Sequence, residues 1–177
     1  MAKRKGLHQH YENLFEKQLR DSGILYLAID ETKRPLYENT TVKNFDFIVS
    51  SFNGKFLIDI KGKKFSYGKT GKAGSWENWI RPDDISGLKL WANHFNAFVP
   101  LLVYPYLLSD ASHIGLFSDV YEYEGNTYGI VAIELATYYV NAKPRSKSWD
   151  AIYVSREKFR ELAKPISFFI PEMKKGW

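Results

Sequence analysis

The sequence contains no cysteine, no internal repeat and no long apolar run among its 177 residues. The absence of cysteine excludes disulfide bonds, thiolate metal ligands and a cysteine nucleophile, and it fits a cytoplasmic protein in a reducing compartment. Because no run of about 18 uncharged apolar residues occurs, we expect no membrane-spanning helix and no membrane partner. A Gly-x-Ser-x-Gly motif is also missing, so the chain lacks this common serine nucleophile motif.

Apolar and aromatic residues are abundant enough to build a substantial core. Hydrophobic residues make up 45% of the chain and aromatic residues 16%, and this length favours one domain over residues 1–177. The net charge of +5 is compatible with a nucleic-acid partner but is not diagnostic of one. Its distribution says more, because five lysines and no acidic residue lie between Lys61 and Lys72.

The hydrophobic periodicity predicts a mixed α/β protein. Apolar residues at helical spacing predict helices over 8–21 and 83–96, and Ser155 is expected to begin a short helix. Strands are expected at 24–29, 45–52, 55–61, 98–107 and within 114–140. This order predicts an α/β fold, with a mixed central β-sheet flanked by helices.

The strongest local signal is Asn53-Gly54 between two apolar runs, which predicts a β-hairpin with a two-residue type I′ turn. With these two residues as the loop, Asp46 would pair with Lys61. Because side chains alternate along a strand, Asp46, Asp59 and Lys61 would share one face. The two carboxylates would lie diagonally at roughly 7–8 Å, within reach of one shared ion. The opposite face would carry Phe45, Phe47, Ile58 and Ile60.

Two interpretations of these charged residues remain open. Burying carboxylates and an ammonium is costly unless they are paired or bind a metal. In the first interpretation, Lys61 neutralises Asp46 or Asp59 as a structural pair. In the second, the carboxylates bind Mg²⁺, or Mn²⁺ in its place, and Lys61 orients an attacking water.

The spacing resembles that of the PD-(D/E)XK nuclease superfamily, whose signature is an Asp on one strand and Asp/Glu-x-Lys on its antiparallel neighbour. Asp46 matches the first element and Asp59-Ile60-Lys61 the second, with Phe45 where the family often has proline. The resemblance implies a restriction-endonuclease-like core and a metal-dependent endonuclease that hydrolyses DNA. The implied catalytic residues are Asp46, Asp59, Lys61 and Glu12. The implied metal ligands are Asp46, Asp59, the Ile60 carbonyl and Glu12.

The chain is also similar to a smaller group known by the N-terminal string HYExAFE. Residues His10 to Glu16 match this string except for Leu14 in place of alanine. The similarity extends to Asp59-Ile60-Lys61-Gly62, Glu77-Asn78-Trp79 and Ser148-Trp149. This group implies no particular substrate, and Glu16 remains an alternative to Glu12 as the helix carboxylate.

Basic and aromatic residues around the hairpin are candidates for nucleic-acid contacts. Trp79 could stack on bases or pack under the lysine-rich loop, and Trp76 has the same two options. The expected contact residues are Lys33, Arg34, Lys63, Lys64, Lys69, Lys72 and Trp79. The string Gly68-Lys69-Thr70 lacks the spacing of a P-loop, and His8-x-His10 has no third metal ligand nearby.

Three functions are therefore compatible with the sequence. The first is a nuclease acting on DNA, and the second is a non-catalytic nucleic-acid-binding module on the same fold. The third is a structural protein in which an Asp46–Lys61 contact is a buried pair. Duplex-cutting enzymes of the resembled type often act as homodimers, but no dimer face is legible here.

Overall fold

The fold is built around a mixed sheet with helices on both faces. The structure is a computed structural model that describes residues 2–30, 32–65, 75–146 and 148–173, with the side chains of residues 2–5 and 7 not described. The helices are α1 (Ala2–Asp21), α2 (Pro82–His94), α3 (Leu135–Asn141), α4 (Arg156–Leu162) and α5 (Ile166–Phe169). The strands are β1 (Leu25–Ala28), β2 (Leu36–Tyr37), β3 (Thr40–Thr41), β4 (Phe47–Ser51), β5 (Gly54–Ile60), β6 (Lys63–Phe65), β7 (Val99–Leu108), β8 (Val120–Tyr123), β9 (Asn126–Glu134), β10 (Lys143–Ser146), β11 (Trp149–Tyr153) and β12 (Lys164–Pro165).

The central sheet follows the order β1-β4-β5-β7-β9-β12, with β6 beside β7 and β8 beside β9. Strands β5 and β7 are parallel, and α2 lies in the connection between them. The pairs β1–β4, β4–β5 and β7–β9 are antiparallel. The predicted α/β fold with a mixed central sheet flanked by helices is therefore confirmed.

Helix α1 covers one face of the sheet because its apolar residues fall on one side. Tyr11, Leu14, Phe15 and Leu19 are all buried. The helix begins at Ala2, earlier than expected, and ends as predicted before Gly23, whose φ of 65° suits a glycine. The opposite face of the sheet packs against α2, α3 and α4, so two hydrophobic cores are separated by the sheet.

The predicted hairpin forms, but its predicted register is wrong by two residues. Ser51 pairs with Gly54, so that Phe52 and Asn53 occupy the turn. A type I′ turn at Asn53-Gly54 needs a positive φ at both residues, and of these two only Gly54 has one. Contacts distant in sequence hold the observed turn, since the carboxylate of Glu172 accepts the Phe52 amide at 2.8 Å and the Ser51 hydroxyl at 2.7 Å.

A β-bulge at Asp46 breaks the expected alternation of side chains. Phe47 is the register partner of Ile58, and the amide of Asp46 also donates to the Ile58 carbonyl, at 2.8 Å. Two consecutive residues thus face one, which is the geometry of a bulge. As a result Phe45 packs in the core with Leu57, whereas Phe47 and Ile58 pack in the core below α1. The prediction that Phe45 shares a face with Phe47 is wrong.

The strands of the C-terminal third are placed differently from the expectation, and β10, β11 and β12 were not predicted. The predicted β-rich stretch 114–140 gives way to helix α3 after Glu134. Ser155 caps α4 as predicted, its hydroxyl accepting the Lys158 amide at 3.4 Å. In the part of the chain that the structure describes, no helix is long and apolar enough to span a membrane.

Candidate functional site

A buried ion network lies where β5 meets the start of α2. Asp59 is 4% exposed, Lys61 8% and Asp84 6%. The ammonium of Lys61 lies 2.8 Å from Asp59 Oδ2 and 3.1 Å from Asp84 Oδ1. Lys43 forms a further ion pair with Asp84. The predicted burial of Asp59 and Lys61 is confirmed, and the lysine is shared between two carboxylates.

The backbone explains why Asp59 and Lys61 meet. They lie two residues apart on one strand, and the Lys61 amide continues the parallel ladder by donating to the Val103 carbonyl at 2.7 Å. Asp84 lies in the first turn of α2, which Pro82 begins, and meets the strand end through its ion pair with Lys61. Asp84 also accepts the Arg81 amide at 3.0 Å, which satisfies a free donor of the helix N-terminus.

Sequence reasoning missed Asp84 as a member of this network. An acidic residue in the first turn of a helix is favoured by the helix dipole, so its presence at position 84 does not by itself indicate a site. The 23-residue separation from Lys61 gives no local signal of contact, because the meeting depends on the crossover from β5 to β7.

Asp46 lies beside the same strand end but borders a different cleft. It is 4% exposed, and its Oδ2 accepts the Ile60 amide at 2.5 Å. A cleft of about 480 Å³, the acidic cleft, brings Asp46 together with Glu12. Glu16 borders this cleft too, but its carboxylate is bound to Arg20 at 3.1 Å and Tyr26 at 2.9 Å. The acidic residues of this cleft are Glu12, Glu16, Asp30 and Asp46.

The donor set around Asp46 and Asp59 suits a hard cation chemically. Among the four described ranges, no group of three or more His, Cys, Asp or Glu side chains is placed to hold a metal ion. Mg²⁺, however, is commonly held by one or two carboxylates, with waters and substrate phosphates completing its shell. Asp46 and Asp59 therefore fit Mg²⁺ in donor type, with the further oxygens left to water and substrate.

A second and larger cleft, the lysine cleft, has a volume of about 700 Å³ and includes Lys61. Of the predicted nucleic-acid contacts, it contains Lys63, Lys64 and Trp79. The residues that line it are His8, Tyr11, Lys43, Lys61, Gly62, Lys63, Lys64, Glu77, Trp79, Ile80, Arg81, Asp84 and Trp149. Its five cations against two carboxylates make it suitable for an anionic ligand.

Two of the other predicted contacts, Lys33 and Arg34, lie elsewhere. Lys33 and Arg34 are exposed in the connection between β1 and β2 and line neither cleft. Lys69 and Lys72 lie outside the described residues. His10 contacts Tyr128 at 2.6 Å and Glu124 at 3.3 Å, so its ring is engaged away from His8.

Lys63 is held against the indole of Trp79. Its ammonium lies 3.7 Å from the ring centroid and 3.3 Å from the Trp79 carbonyl oxygen. The pKa of Lys63 is lowered to about 8, mainly by burial; Lys61 and Arg145 also lower it, and Glu77 raises it. A bound anion would stabilise the protonated form of Lys63.

Asn78 fixes the position of Trp79. The Asn78 side chain donates to the Val154 carbonyl at 2.9 Å and accepts the Val154 amide at 2.8 Å. Tyr104 and Tyr138 both donate to the Asn78 carbonyl, at 2.9 and 2.8 Å. The two tryptophans, each of which could pack in the core or contact a ligand, differ in position. Trp76 is 8% exposed and lies in the core, whereas Trp79 borders the lysine cleft.

The fold is similar to that of Hjc, a Holliday junction resolvase from the archaeal hyperthermophile Archaeoglobus fulgidus. The TM-score is 0.52 with 10% sequence identity, and the match covers 90% of this chain and 97% of that chain. The class is therefore a restriction-endonuclease-like fold, as expected from the Asp59-Ile60-Lys61 pattern. No protein-family model and no curated protein matches the chain, so its similarity to the HYExAFE-type group is not supported.

Proposed function

We propose that this protein is a metal-dependent nuclease that hydrolyses DNA phosphodiester bonds. The observation that carries the proposal is the buried Asp59-x-Lys61 pair beside the bulged Asp46, on a restriction-endonuclease-like fold. Placing ionic groups in a core is costly, so a function that uses them explains their presence better than stability does.

Asp46, Asp59 and the Ile60 carbonyl would hold the metal, with Glu12 contributing through water. Bound Mg²⁺ would lower the pKa of a water and stabilise negative charge on the attacked phosphate. If Asp59 held the metal, Lys61 would still have Asp84, 3.1 Å away, as a partner. Asp84 would thus keep the ammonium in the lysine cleft, where it orients the attacking water and stabilises the developing charge.

The lysine cleft would bind the DNA backbone next to this centre. Lys63, Lys64 and Trp79 line it together with Lys61. Lys33, Arg34, Lys69 and Lys72 remain predicted contacts that would extend the binding surface. The resolvase activity named for Hjc supports DNA as the substrate.

The test is cleavage of labelled duplex, flap, single-stranded and four-way-junction DNA, and of RNA, with Mg²⁺, Mn²⁺ or EDTA. We expect cleavage that needs the metal and is lost in Asp59→Ala. Asp83→Ala is the matched control, because Asp83 is an exposed carboxylate in the same turn as Asp84. Equal cleavage by wild type and Asp59→Ala would show that the assignment is wrong.

A non-catalytic nucleic-acid-binding module is the second candidate. It is favoured by the pairing of Asp59 with Lys61 and by the absence, within the described ranges, of three clustered metal-binding side chains. Calorimetric titration with Mg²⁺ or Mn²⁺ separates the two. Saturable binding that is lost in Asp46→Ala supports the enzyme, whereas salt-sensitive DNA binding with no metal dependence supports the module.

A further inference from the structure

The hairpin of β10 and β11 contributes Trp149 to the lining of the lysine cleft. It is a separate two-stranded sheet, joined to the segment before α2 by hydrogen bonds between Ile80 and Ile152 at 3.0 and 2.9 Å. Its strands carry Arg145 and Trp149, and Trp149 borders the cleft. The hairpin therefore places an aromatic side chain in the cleft that also contains Lys61.

Trp149 is 53% exposed and contacts Arg145 and Trp79 through its ring. The Arg145 guanidinium lies over its ring, 4.4 Å from the centroid, and also lies 5.3 Å from the Trp79 centroid. The Trp79 and Trp149 rings meet edge to face at 6.3 Å, with 79° between their planes. Arg145 thus packs on the indole of Trp149, while much of the surface of this indole stays open to solvent.

The residues around the exposed indole of Trp149 indicate which kind of molecule would bind there. An exposed indole beside several lysines combines an apolar platform with a cationic groove, the combination that binds single strands of nucleic acid. Lys61, Lys63 and Lys64 line the same cleft and would contact the phosphates. An ordinary apolar partner would have to bury these ammonium groups at a high cost.

We propose that Trp149 is a stacking platform for an unpaired nucleobase of the bound DNA. This inference rests on the proposed function for the presence of DNA in the cleft, and it narrows the substrate to DNA with unstacked bases near the cleaved bond. Paired bases in a continuous duplex are stacked on both faces, so they cannot also stack on Trp149.

The test compares two labelled single strands of equal length, one with thymine bases and one with abasic positions throughout its centre. Both carry the same phosphates, so their difference in affinity measures the bases alone. Binding is measured by fluorescence anisotropy in EDTA, where no cleavage is needed. We expect wild type to prefer the thymine strand by about tenfold, because stacking on an aromatic ring strengthens binding substantially.

Trp149→Leu should bind both strands with equal affinity, and Trp149→Phe should retain part of the preference. Tyr139→Leu is the matched control, since Tyr139 is 50% exposed with the Lys89 ammonium 3.2 Å from its ring centroid, yet it does not line the cleft. A 2-aminopurine in the strand gives a direct readout, because stacking on an indole quenches it. Quenching should be lost in Trp149→Leu and kept in Tyr139→Leu.

The proposal is overturned if wild type binds the two strands equally, or if Trp149→Leu keeps the full preference and quenching. Should Trp149→Leu fail to fold, an unchanged preference in Arg145→Gln and Trp149→Phe would overturn it equally. A protein that binds thymine strands through Trp149 but never cuts would refute the nuclease and leave the platform. A protein that cuts but ignores Trp149 would refute the platform alone.

Discussion

Lys61 lies between two buried carboxylates, 2.8 Å from Asp59 and 3.1 Å from Asp84. One carboxylate comes from the end of a strand and the other from the first turn of a helix. The lysine therefore links the two elements, and it can lose one partner without becoming unpaired. This is a property that a nuclease lysine needs if Asp59 is to bind a metal.

Replacing Asp84 with asparagine should destabilise the protein. Asparagine keeps an acceptor for the Arg81 amide but removes the charge that faces Lys61 and Lys43. We expect a loss of about 1–3 kcal/mol in the free energy of unfolding, measured by urea denaturation. Asp83→Asn in the same turn should cost much less, because Asp83 is exposed. Equal losses in the two variants would contradict the structural role of Asp84.

If the proposed function is correct, replacing Lys61 with glutamine should slow cleavage strongly without abolishing DNA binding. Glutamine can still donate a hydrogen bond to Asp59 or Asp84, but it carries no charge to stabilise the transition state. We expect the single-turnover rate at saturating protein to fall at least about 100-fold. Lys64→Gln removes the same charge from an exposed position in the same cleft and should leave this rate nearly unchanged.

The Lys61→Met variant gives a second test of the proposed catalytic role of Lys61. A whole buried ion pair can often be replaced by apolar side chains, but Lys61→Met removes only the lysine and leaves the buried carboxylate of Asp59 without this partner, so we expect the variant to be destabilised. If Lys61→Met folds and a nuclease activity of wild type persists in it, the catalytic role of Lys61 is wrong. Unfolding of this variant alone decides nothing about catalysis, which is why the glutamine variant is the primary test.

Glycine is required at position 62 because α1 passes directly over it. A Cβ at Gly62 would lie 2.0 Å from the Cδ2 atom and 2.2 Å from the Cγ atom of Tyr11. Tyr11 cannot easily yield, since it is 3% exposed and its hydroxyl donates to the Lys63 carbonyl at 3.1 Å. Gly62→Ala should therefore lower the free energy of unfolding by about 1–3 kcal/mol.

The matched control for Gly62→Ala is Gly115→Ala, because a Cβ at Gly115 would meet nothing within 4 Å. The double variant Gly62→Ala/Tyr11→Leu should cost less than the two single losses added together, since the smaller side chain relieves the clash. Additive losses would show that the contact with Tyr11 is not the cause.

DNA affinity should fall as the pH rises through about 8, because Lys63 loses its proton there in the free protein. A DNA phosphate favours the charged form and raises the pKa in the complex, so binding above pH 8 must take up a proton. The groups that act on Lys63 are Glu77, which raises its pKa, and Lys61 and Arg145, which lower it. Anisotropy titrations in EDTA from pH 6.5 to 9.5 measure the dependence, with a limit of about tenfold per pH unit.

Lys63→Arg is the control for this pH dependence. Arginine keeps its charge throughout the range. The variant should bind DNA with a nearly constant affinity between pH 7 and 9. A wild-type affinity that is equally flat would show that Lys63 does not contact the DNA.

The strand pattern and the Asp59-Ile60-Lys61 spacing could be predicted from the sequence, because both features depend only on residues that are close together along the chain. A period of two places Asp59 and Lys61 on one side of a strand, whatever lies around them. The stripe of α1 and the glycine after its end are equally local, so the helix and the mixed sheet could be predicted.

The hairpin register and the position of Asp46 could not be predicted from the sequence. Asn53-Gly54 favours one turn, but Glu172 holds another through contacts from the opposite end of the chain. Asp46 and Lys61 were predicted to share one face, but they line two different clefts. The extra residue of the bulge at Asp46 reverses the alternation of side chains between the two faces of the strand. Local preferences of this size are readily overridden by packing.

The sequence by itself determined which residues carry the charge, the strand that bears Asp59 and Lys61, and the class of fold. The tertiary structure alone decided that Asp84 shares Lys61 and that Trp149 faces the same cleft. Both of these residues come from segments far along the chain, and only the crossover from β5 to β7 and the docked hairpin bring them near. Contacts of this kind leave no periodic signal in the sequence. The long segment between two such residues does not fix how far apart they lie in the folded protein.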